Sequence, residues 1–340
     1  MKLASASRLI SPGDSPRLGF LGVGWIGRHR MESIVRADAG EVVSVFEPSV
    51  EMLEAALAAA PGARAVESLD ALLDSGIDAV VIATPSALHA EQSIAALERG
   101  IAVFCQKPLG RTAQEAGAVV AAARDADLLL GVDLSYRFTA GMRAIHEVIA
   151  AGELGDVFAV DLVFHNAYGP DKAWFYDSAL SGGGCVMDLG IHLVDLALWP
   201  LDFPQVMGVD SRLFAAGSPL VGRSSVVEDF ATARFDLATG ASVRLACSWN
   251  LQAGCDAEIS ASYYGTAGGI QMRNVNGSFY DFVTDRFRGT SRERIAEPPD
   301  DWGARAAVDW ARRLAAGTHF DPDSERFVEI SAVIDRIYGR

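Results

Sequence analysis

The 340-residue chain has only four cysteines, Cys105, Cys185, Cys247 and Cys255, and no two of them stand in a Cys-x-x-Cys spacing. That excludes a disulfide-built scaffold and a zinc knuckle, and fits reduced thiols in a cytoplasm. Hydrophobic runs fall short of the ~20 apolar residues a membrane-crossing helix needs. The run from Ile191 to Leu201, for example, is broken by Asp195, so no membrane partner is expected. Basic charge is scarce as well. The 29 Lys and Arg face 44 Asp and Glu, and the resulting net charge of −15 argues against a nucleic-acid partner. Residues 1–16 lack the apolar segment of a signal peptide and read as a flexible leader. The chain is 50% hydrophobic and 21% charged, which excludes overall disorder and supplies cores for about two domains.

From Leu18 onward, short aliphatic runs alternate with segments of helical period, the pattern of a parallel sheet covered on both faces. Strands are expected at Leu18–Gly22, Val42–Glu47, Ala79–Thr84, Ala102–Gln106 and Leu128–Leu134. Helices are expected at Ile26–Ala39, Ser49–Ala60, Ser68–Asp74, Ala87–Arg99 and Thr112–Asp125, with Ser49, Ser68 and Thr112 as N-caps. The fold class is therefore α/β, with an N-terminal doubly wound Rossmann domain over residues 17–137.

Gly22-Val23-Gly24-Trp25-Ile26-Gly27 lies between the first strand and the first helix, and Glu47 ends the second strand 20 residues beyond Gly27. Gly22 permits a tight turn, Gly24 lets backbone approach a pyrophosphate, and Gly27 allows close packing of helix on strand. Amide N–H groups at the helix start, from Trp25 and Ile26, complement the anion. Glu47 is placed to accept hydrogen bonds from a ribose hydroxyl and to repel a 2′-phosphate, which tilts the cofactor toward NAD; NADP stays open, because Ser49 is close by. A solvated carboxylate at a strand end is the plainer reading of Glu47.

After Arg137 the texture changes. A helix at Gly141–Ala151 and a strand at Val157–Phe164 precede strands at Ala231–Asp236, Ala241–Trp249, Ala257–Tyr264 and Gly269–Asn274, with helices at Trp302–Ala316 and Glu325–Tyr338. This is an α+β domain over residues 138–340 with a large, mostly antiparallel open sheet, whose uncovered face is either wet or paired with another subunit.

Three features carry chemistry. Lys107 follows the Ala102–Gln106 strand and precedes Pro108, which favours an extended backbone there; a lysine in a cleft can polarise an oxygen or relay a proton, although most lysines are simply exposed. Asp188 and His192, in the block that begins Ser181-Gly182-Gly183-Gly184-Cys185, are four residues apart and share a face if the segment is α-helical. An imidazole there can take the proton that a hydroxyl loses as its carbon loses hydride. The same pair fits a structural His–Asp contact, and less well a metal site, for which the third ligand is wanting; no metal is expected. Asp195 stands three residues past His192, either to contact it or to face solvent. Thr84, Pro85 and His89 at the third strand's end are candidates to line a nicotinamide pocket, and Tyr136 and Arg137 to touch substrate.

The glycine fingerprint, Thr84-Pro85 with His89, Lys107-Pro108, Tyr136-Arg137-Phe138, Trp174-Phe175 and the Gly182–Asp195 block, in this order, resemble the Gfo/Idh/MocA family of oxidoreductases. Gly152–Gly155, Val227-Glu228-Asp229 and Tyr264-Gly265 resemble its second domain. The resemblance implies NAD(P)-dependent oxidation or reduction of a sugar, cyclitol or related polyol. It also implies a cytoplasmic homodimer or homotetramer joined through the open sheet. Lys107, Asp188 and His192 take the catalytic positions, and Trp174 joins Tyr136 and Arg137 as a substrate contact. One position departs: the family's Glu-Lys-Pro reads Gln106-Lys107-Pro108 here. A catalytically idle NAD(P)-binding sensor on the same fold is the alternative reading. If Glu47 selects the cofactor, titration of the purified protein binds NADH more tightly than NADPH; tighter NADPH binding contradicts that assignment.

Overall fold

The structure, a computed structural model, describes residues 15–222 and 226–340. The expected leader lies almost wholly outside them. Two compact units result, one running up to Asp133 and taking in Ala304–Val328, the other comprising Leu134–Gly303 and Glu329–Arg340. The expected division at 137/138 therefore moves to 133/134, and the expected second domain gives up residues 304–328 to the first unit.

In the first unit, strands β1 (Arg17–Leu21), β2 (Glu41–Phe46), β3 (Arg64–Ala65), β4 (Ala79–Ile82), β5 (Ala102–Cys105) and β6 (Leu130–Val132) form one parallel sheet in the order β3-β2-β1-β4-β5-β6. Every residue of β4 and β5 is buried, as expected of strands covered on both faces. The intervening helices are α1 (Trp25–Arg36), α2 (Val50–Ala59), α3 (Leu69–Leu73), α4 (Ser86–Leu97) and α5 (Ala113–Ala126). Ser49, Ser68 and Thr112 cap α2, α3 and α5 through their side-chain oxygens, as their positions foretold. Reversal of strand order between β1 and β4 places the loop after β1 at the point where such sheets bind ligands.

The second unit holds α6 (Ala140–Ala150), then β7 (Val157–Asn166), a short α7 (Ser178–Ser181), a π-helical turn over Val186–Gly190, and α8 (Ile191–Leu198). Strands β8 (Val206–Ala215), β9 (Ser218–Pro219), β10 (Phe230–Leu237), β11 (Ser242–Ser248), β12 (Ala257–Gly265), β13 (Gly269–Asn274), β14 (Phe282–Arg288) and β15 (Ser291–Ala296) complete it. The nine strands run in the order β15-β14-β13-β12-β7-β11-β10-β8-β9, and all pairs are antiparallel except β7 with β11. Helices α6 and α8 pack on one face. The opposite face carries charge, including the Arg244–Asp161 and Arg234–Asp236 pairs. Helix α9 (Arg305–Ala315) packs on α1 and β6 of the first unit, and α10 (Arg326–Ile337) ends the chain.

One helical stretch, Ser178–Leu201, is long and apolar enough to cross a membrane, contrary to the reading of its sequence, but its most apolar window is 83% buried. It is a core helix of the second unit, and its start is tightly built. The Glu228 carboxylate accepts hydrogen bonds from the N–H groups of Gly184 and Val186 and from the Tyr338 hydroxyl, while Cys185 N–H donates to the Glu228 carbonyl. A Cβ on Gly184 would sit 1.9 Å from that carbonyl oxygen, and one on Gly183 2.0 Å from the Tyr338 oxygen. Gly184→Ala is therefore expected to destabilise the protein by ~2–4 kcal/mol, as overpacking against backbone does. Gly62→Ala, where nothing lies within 4 Å of the added atom, serves as a neutral control. Equal melting temperatures for the two variants would contradict this packing.

Candidate active site

Gly22 adopts φ +85, and a Cβ there would come 2.7 Å from the Ala83 carbonyl oxygen, so the turn after β1 requires glycine. Gly27 is equally constrained, because its Cβ would lie 2.2 Å from the Gly22 carbonyl oxygen. Gly24 is different. The nearest atom to a Cβ there is Met52 Sδ at 3.8 Å, so the protein itself leaves room for a side chain. Gly24 is also the N-cap of α1 and supplies no side-chain cap, and no acid occupies the first turn. An uncapped, positively polarised helix start behind an open glycine fits a dinucleotide pyrophosphate, held by the backbone of Gly24, Trp25 and Ile26. Trp25 is 63% exposed and stacks on His29 at 6.1 Å.

Glu47 is half-buried at the end of β2. Its Oε2 accepts from Val23 N–H at 2.9 Å and its Oε1 from Ser49 N–H at 3.0 Å, so the carboxylate is anchored beside the glycine loop. The anchoring is incompatible with a freely solvated side chain.

At the sheet's C-terminal edge, Thr84 donates its hydroxyl to Gln92. His89 is buried between two carbonyl oxygens, Nε2 facing Thr84 at 2.7 Å and Nδ1 facing Pro108 at 2.6 Å. Burial depresses its pKa more than those carbonyls raise it, and the Lys107 charge adds to the depression. His89 thus sits between the end of β4 and the Lys107–Pro108 loop with each ring nitrogen facing a carbonyl oxygen, and the neutral ring donates to one of the two. Lys107 is half-buried just past β5, and its peptide with Pro108 is cis.

In the second unit, Asp188 lies in the π-helical turn and His192 in α8. The uniform α-helix assumed for their four-residue spacing is replaced by a π turn feeding α8, a local widening that recurs at functional sites. Asp188 is half-buried and accepts a hydrogen bond from Trp249 Nε1 at 3.0 Å. His192 is 6% exposed, and the Tyr136 ring stands edge-on to it, with centroids 4.9 Å apart. Burial, followed by the charges of Tyr280 and Asp188, pushes the Tyr136 hydroxyl well up, so it is a neutral donor at working pH. Trp174 stacks on Phe175 at 3.8 Å, and Phe175 and Tyr176 both meet Trp249 edge-on. These rings form an aromatic wall continuous with the Asp188 partner.

Arg137 behaves otherwise than its neighbour. Its guanidinium grips both oxygens of Asp195, which is 1% exposed, and lies over the rings of Trp199 and Phe203. Arg137 thus forms an ion pair that holds Asp195, which neither faces solvent nor is left unpaired. Burial raises the Asp195 pKa, and Arg137 pulls it back. Sequence reasoning assigned no role to Trp249, Tyr338 or Glu228 in holding the Asp188–His192 segment. The signal was the glycine run itself, whose bare backbone implied a close neighbour.

Comparison with known proteins agrees with this arrangement. Residues 17–134 match the oxidoreductase family with NAD-binding Rossmann fold, and residues 142–271 match the Gfo/Idh/MocA C-terminal domain. A 1,5-anhydro-D-fructose reductase of Ensifer adhaerens is 37% identical over 183 residues, covering 53% of this chain and 54% of that protein. The aligned part thus spans about half the length of that curated relative. An inositol 2-dehydrogenase of Saccharopolyspora erythraea is 28% identical over 318 residues, covering 92% and 84%. The structure of a levoglucosan dehydrogenase in complex with NADH and levoglucosan superposes with a TM-score of 0.81 at 20% identity, covering 96% of this chain and 97% of that one; it shares the fold. With a Rossmann unit that fits NAD and a second unit matching the family's C-terminal domain, the chain belongs to the Gfo/Idh/MocA family of oxidoreductases.

Proposed function

We propose that the protein is an NAD-dependent dehydrogenase or ketoreductase acting on a secondary hydroxyl or keto carbon of a sugar, cyclitol or related polyol. The observation that carries this reading is the Asp188–His192 segment. An imidazole and a carboxylate are held on one rigid helical stretch, framed by Tyr136 and Trp249, in a chain whose other unit is built for a nicotinamide dinucleotide. The names of the sugar reductase, the inositol dehydrogenase and the levoglucosan dehydrogenase support the substrate class.

NAD supplies the hydride acceptor or donor when bound. In the oxidative direction, His192 takes the hydroxyl proton as the carbon's hydride leaves, and in the reductive direction it returns that proton to the carbonyl oxygen. Lys107 is assigned the polarisation of a substrate oxygen on which negative charge develops. Asp188, held by Trp249, orients the substrate hydroxyls and the imidazole. Tyr136 and Trp174 present aromatic faces to the apolar side of a sugar ring. Arg137 joins them as a substrate contact while its Nε and Nη2 hold Asp195. Thr84, Pro85 and His89 shape the nicotinamide end of the cofactor site, while Gly22, Gly24, Gly27 and Glu47 hold its pyrophosphate and ribose.

Net charge of −15 and four free cysteines support a cytoplasmic protein that binds no nucleic acid. The uncovered face of the nine-stranded sheet supports a homodimer or homotetramer.

His192→Ala and Lys107→Ala are each expected to lower kcat by ~10²–10⁴-fold while leaving NADH affinity near wild type. The check is NADH formation or consumption over a panel of inositols, aldoses, uronates and keto-sugars. Unchanged turnover in both variants contradicts the roles assigned here. A cofactor-saturated wild-type protein that converts no member of the panel favours an NAD-binding sensor.

A further inference from the structure

Gln106 occupies the position where the Glu-Lys-Pro pattern has its carboxylate, and the structure shows what the amide does there. Its Oε1 accepts a hydrogen bond from Lys107 N–H at 3.0 Å, and its Nε2 donates to Asp133 Oδ2 at 2.8 Å. Asp133 follows β6 and is fully buried, and the same Oδ2 accepts from Arg30 Nε of α1 at 2.7 Å. The Arg30 side chain is 6% exposed. The second oxygen of Asp133, Oδ1, is buried and has no hydrogen-bond partner among the described residues.

The orientation of the amide follows from its neighbours. A carboxylate only accepts and a backbone N–H only donates, so nitrogen must face Asp133 and oxygen must face Lys107. Glutamate could satisfy Lys107 but not Asp133, because two carboxylates at that separation cannot both ionise. The buried charges also count. Arg30 and Asp133 neutralise each other, and a second carboxylate at the half-buried position 106 would leave a net negative charge beside the buried Asp133.

We propose that Gln106 is a positioning residue for Lys107, and that Asp133, one strand over, carries the carboxylate that the glutamate of the pattern would otherwise supply. The negative charge has been transposed from the end of β5 to the end of β6, where Arg30 compensates it, and the amide at position 106 relays the geometry to the Lys107 backbone. This assignment rests on the catalytic role given to Lys107. Its electrostatic part stands independently. The groups facing the pair are Arg30 from α1, with His29 Nδ1 2.8 Å from its guanidinium, Lys107 on the loop, and Cys105 at the end of β5. The Cys105 thiol is pushed up to about 12, first by burial, with the Asp133 charge adding to it.

The test is a charge swap. In Gln106→Glu, the new half-buried carboxylate lies within hydrogen-bond distance of the buried Asp133, so the pair holds a proton in the folded state that it has released in the unfolded state. Stability relative to wild type is then nearly intact at about pH 5 and falls as pH rises toward about 8. The melting temperature read across that range needs no substrate. On any sugar that wild type turns over, the same variant loses kcat by ~10²-fold at neutral pH, as a displaced catalytic group does, and recovers part of it on acidification, with the KM for NAD little changed. Adding Asp133→Asn restores a single carboxylate opposite Arg30. The double variant is expected to regain at least ~10-fold in kcat and to lose the pH-dependent deficit in melting temperature. Gln106→Glu with wild-type kcat and a pH-independent melting temperature overturns the proposal. So does a folded double variant no better than the single one. If wild type converts no sugar, the catalytic reading fails, while the melting curves still decide whether Gln106 and Asp133 form one electrostatic unit.

Discussion

The second unit depends on one buried carboxylate. Glu228 is 2% exposed, and its side chain gathers the N–H groups of Gly184 and Val186 together with the Tyr338 hydroxyl at the start of the helical stretch that carries Asp188 and His192. Burial raises its pKa, and those donors oppose the rise. A carboxylate there satisfies amides that the helix start leaves open and complements the dipole of the helix. Tyr338 adds a second hold, because its oxygen also accepts from Met187 N–H at 3.1 Å. The glycine run is bare because Glu228 backbone and the Tyr338 ring occupy the space. With the start pinned in this way, the π turn that follows has a fixed phase, and so do Asp188 and His192.

The first unit uses the same device with a different counter-charge. Asp133 is held by Arg30 and Gln106, and Gln106 in turn holds the backbone of Lys107. His89 ties the other side of that loop to β4. In each unit a carboxylate is taken out of water, at a cost that its donors offset, and the backbone those donors belong to is held in place. The Arg137–Asp195 ion pair does structural work beside the same segment.

Local signals made much of the fold legible. The alternation of β1, β2, β4, β5 and β6 with five helices, the three N-caps and the glycine fingerprint all rest on residues within a few positions of one another, and each was recovered to within a few residues. Strands β3 and β9 were missed because they are two-residue edge strands, and β8, β14 and β15 because they are edge or near-edge strands with weak alternation. Ser291–Ala296 is mostly exposed and carries Arg292, Glu293 and Arg294 in succession. The return of α9 to the first unit was invisible because only packing on α1 and β6 decides it. At the candidate site, Lys107, Asp188 and His192 were visible as residue types in a recognisable order. Their supports, Glu228, Tyr338, Trp249 and Asp133, lie far away in sequence and announce themselves only through contacts. The Arg137–Asp195 pair was invisible for the same reason, since nothing local reveals that the two are partners.

The central claim is that this chain moves hydride between a nicotinamide ring and a carbon of a polyhydroxylated substrate, with the proton handled by the protein. Transfer of deuterium from NADH labelled at C4 to a keto-sugar or keto-cyclitol tests it most directly. The account predicts label on the newly formed carbinol carbon, delivered from one face of the nicotinamide only. Binding of labelled NADH with no label in any product, or label released to water, would contradict it.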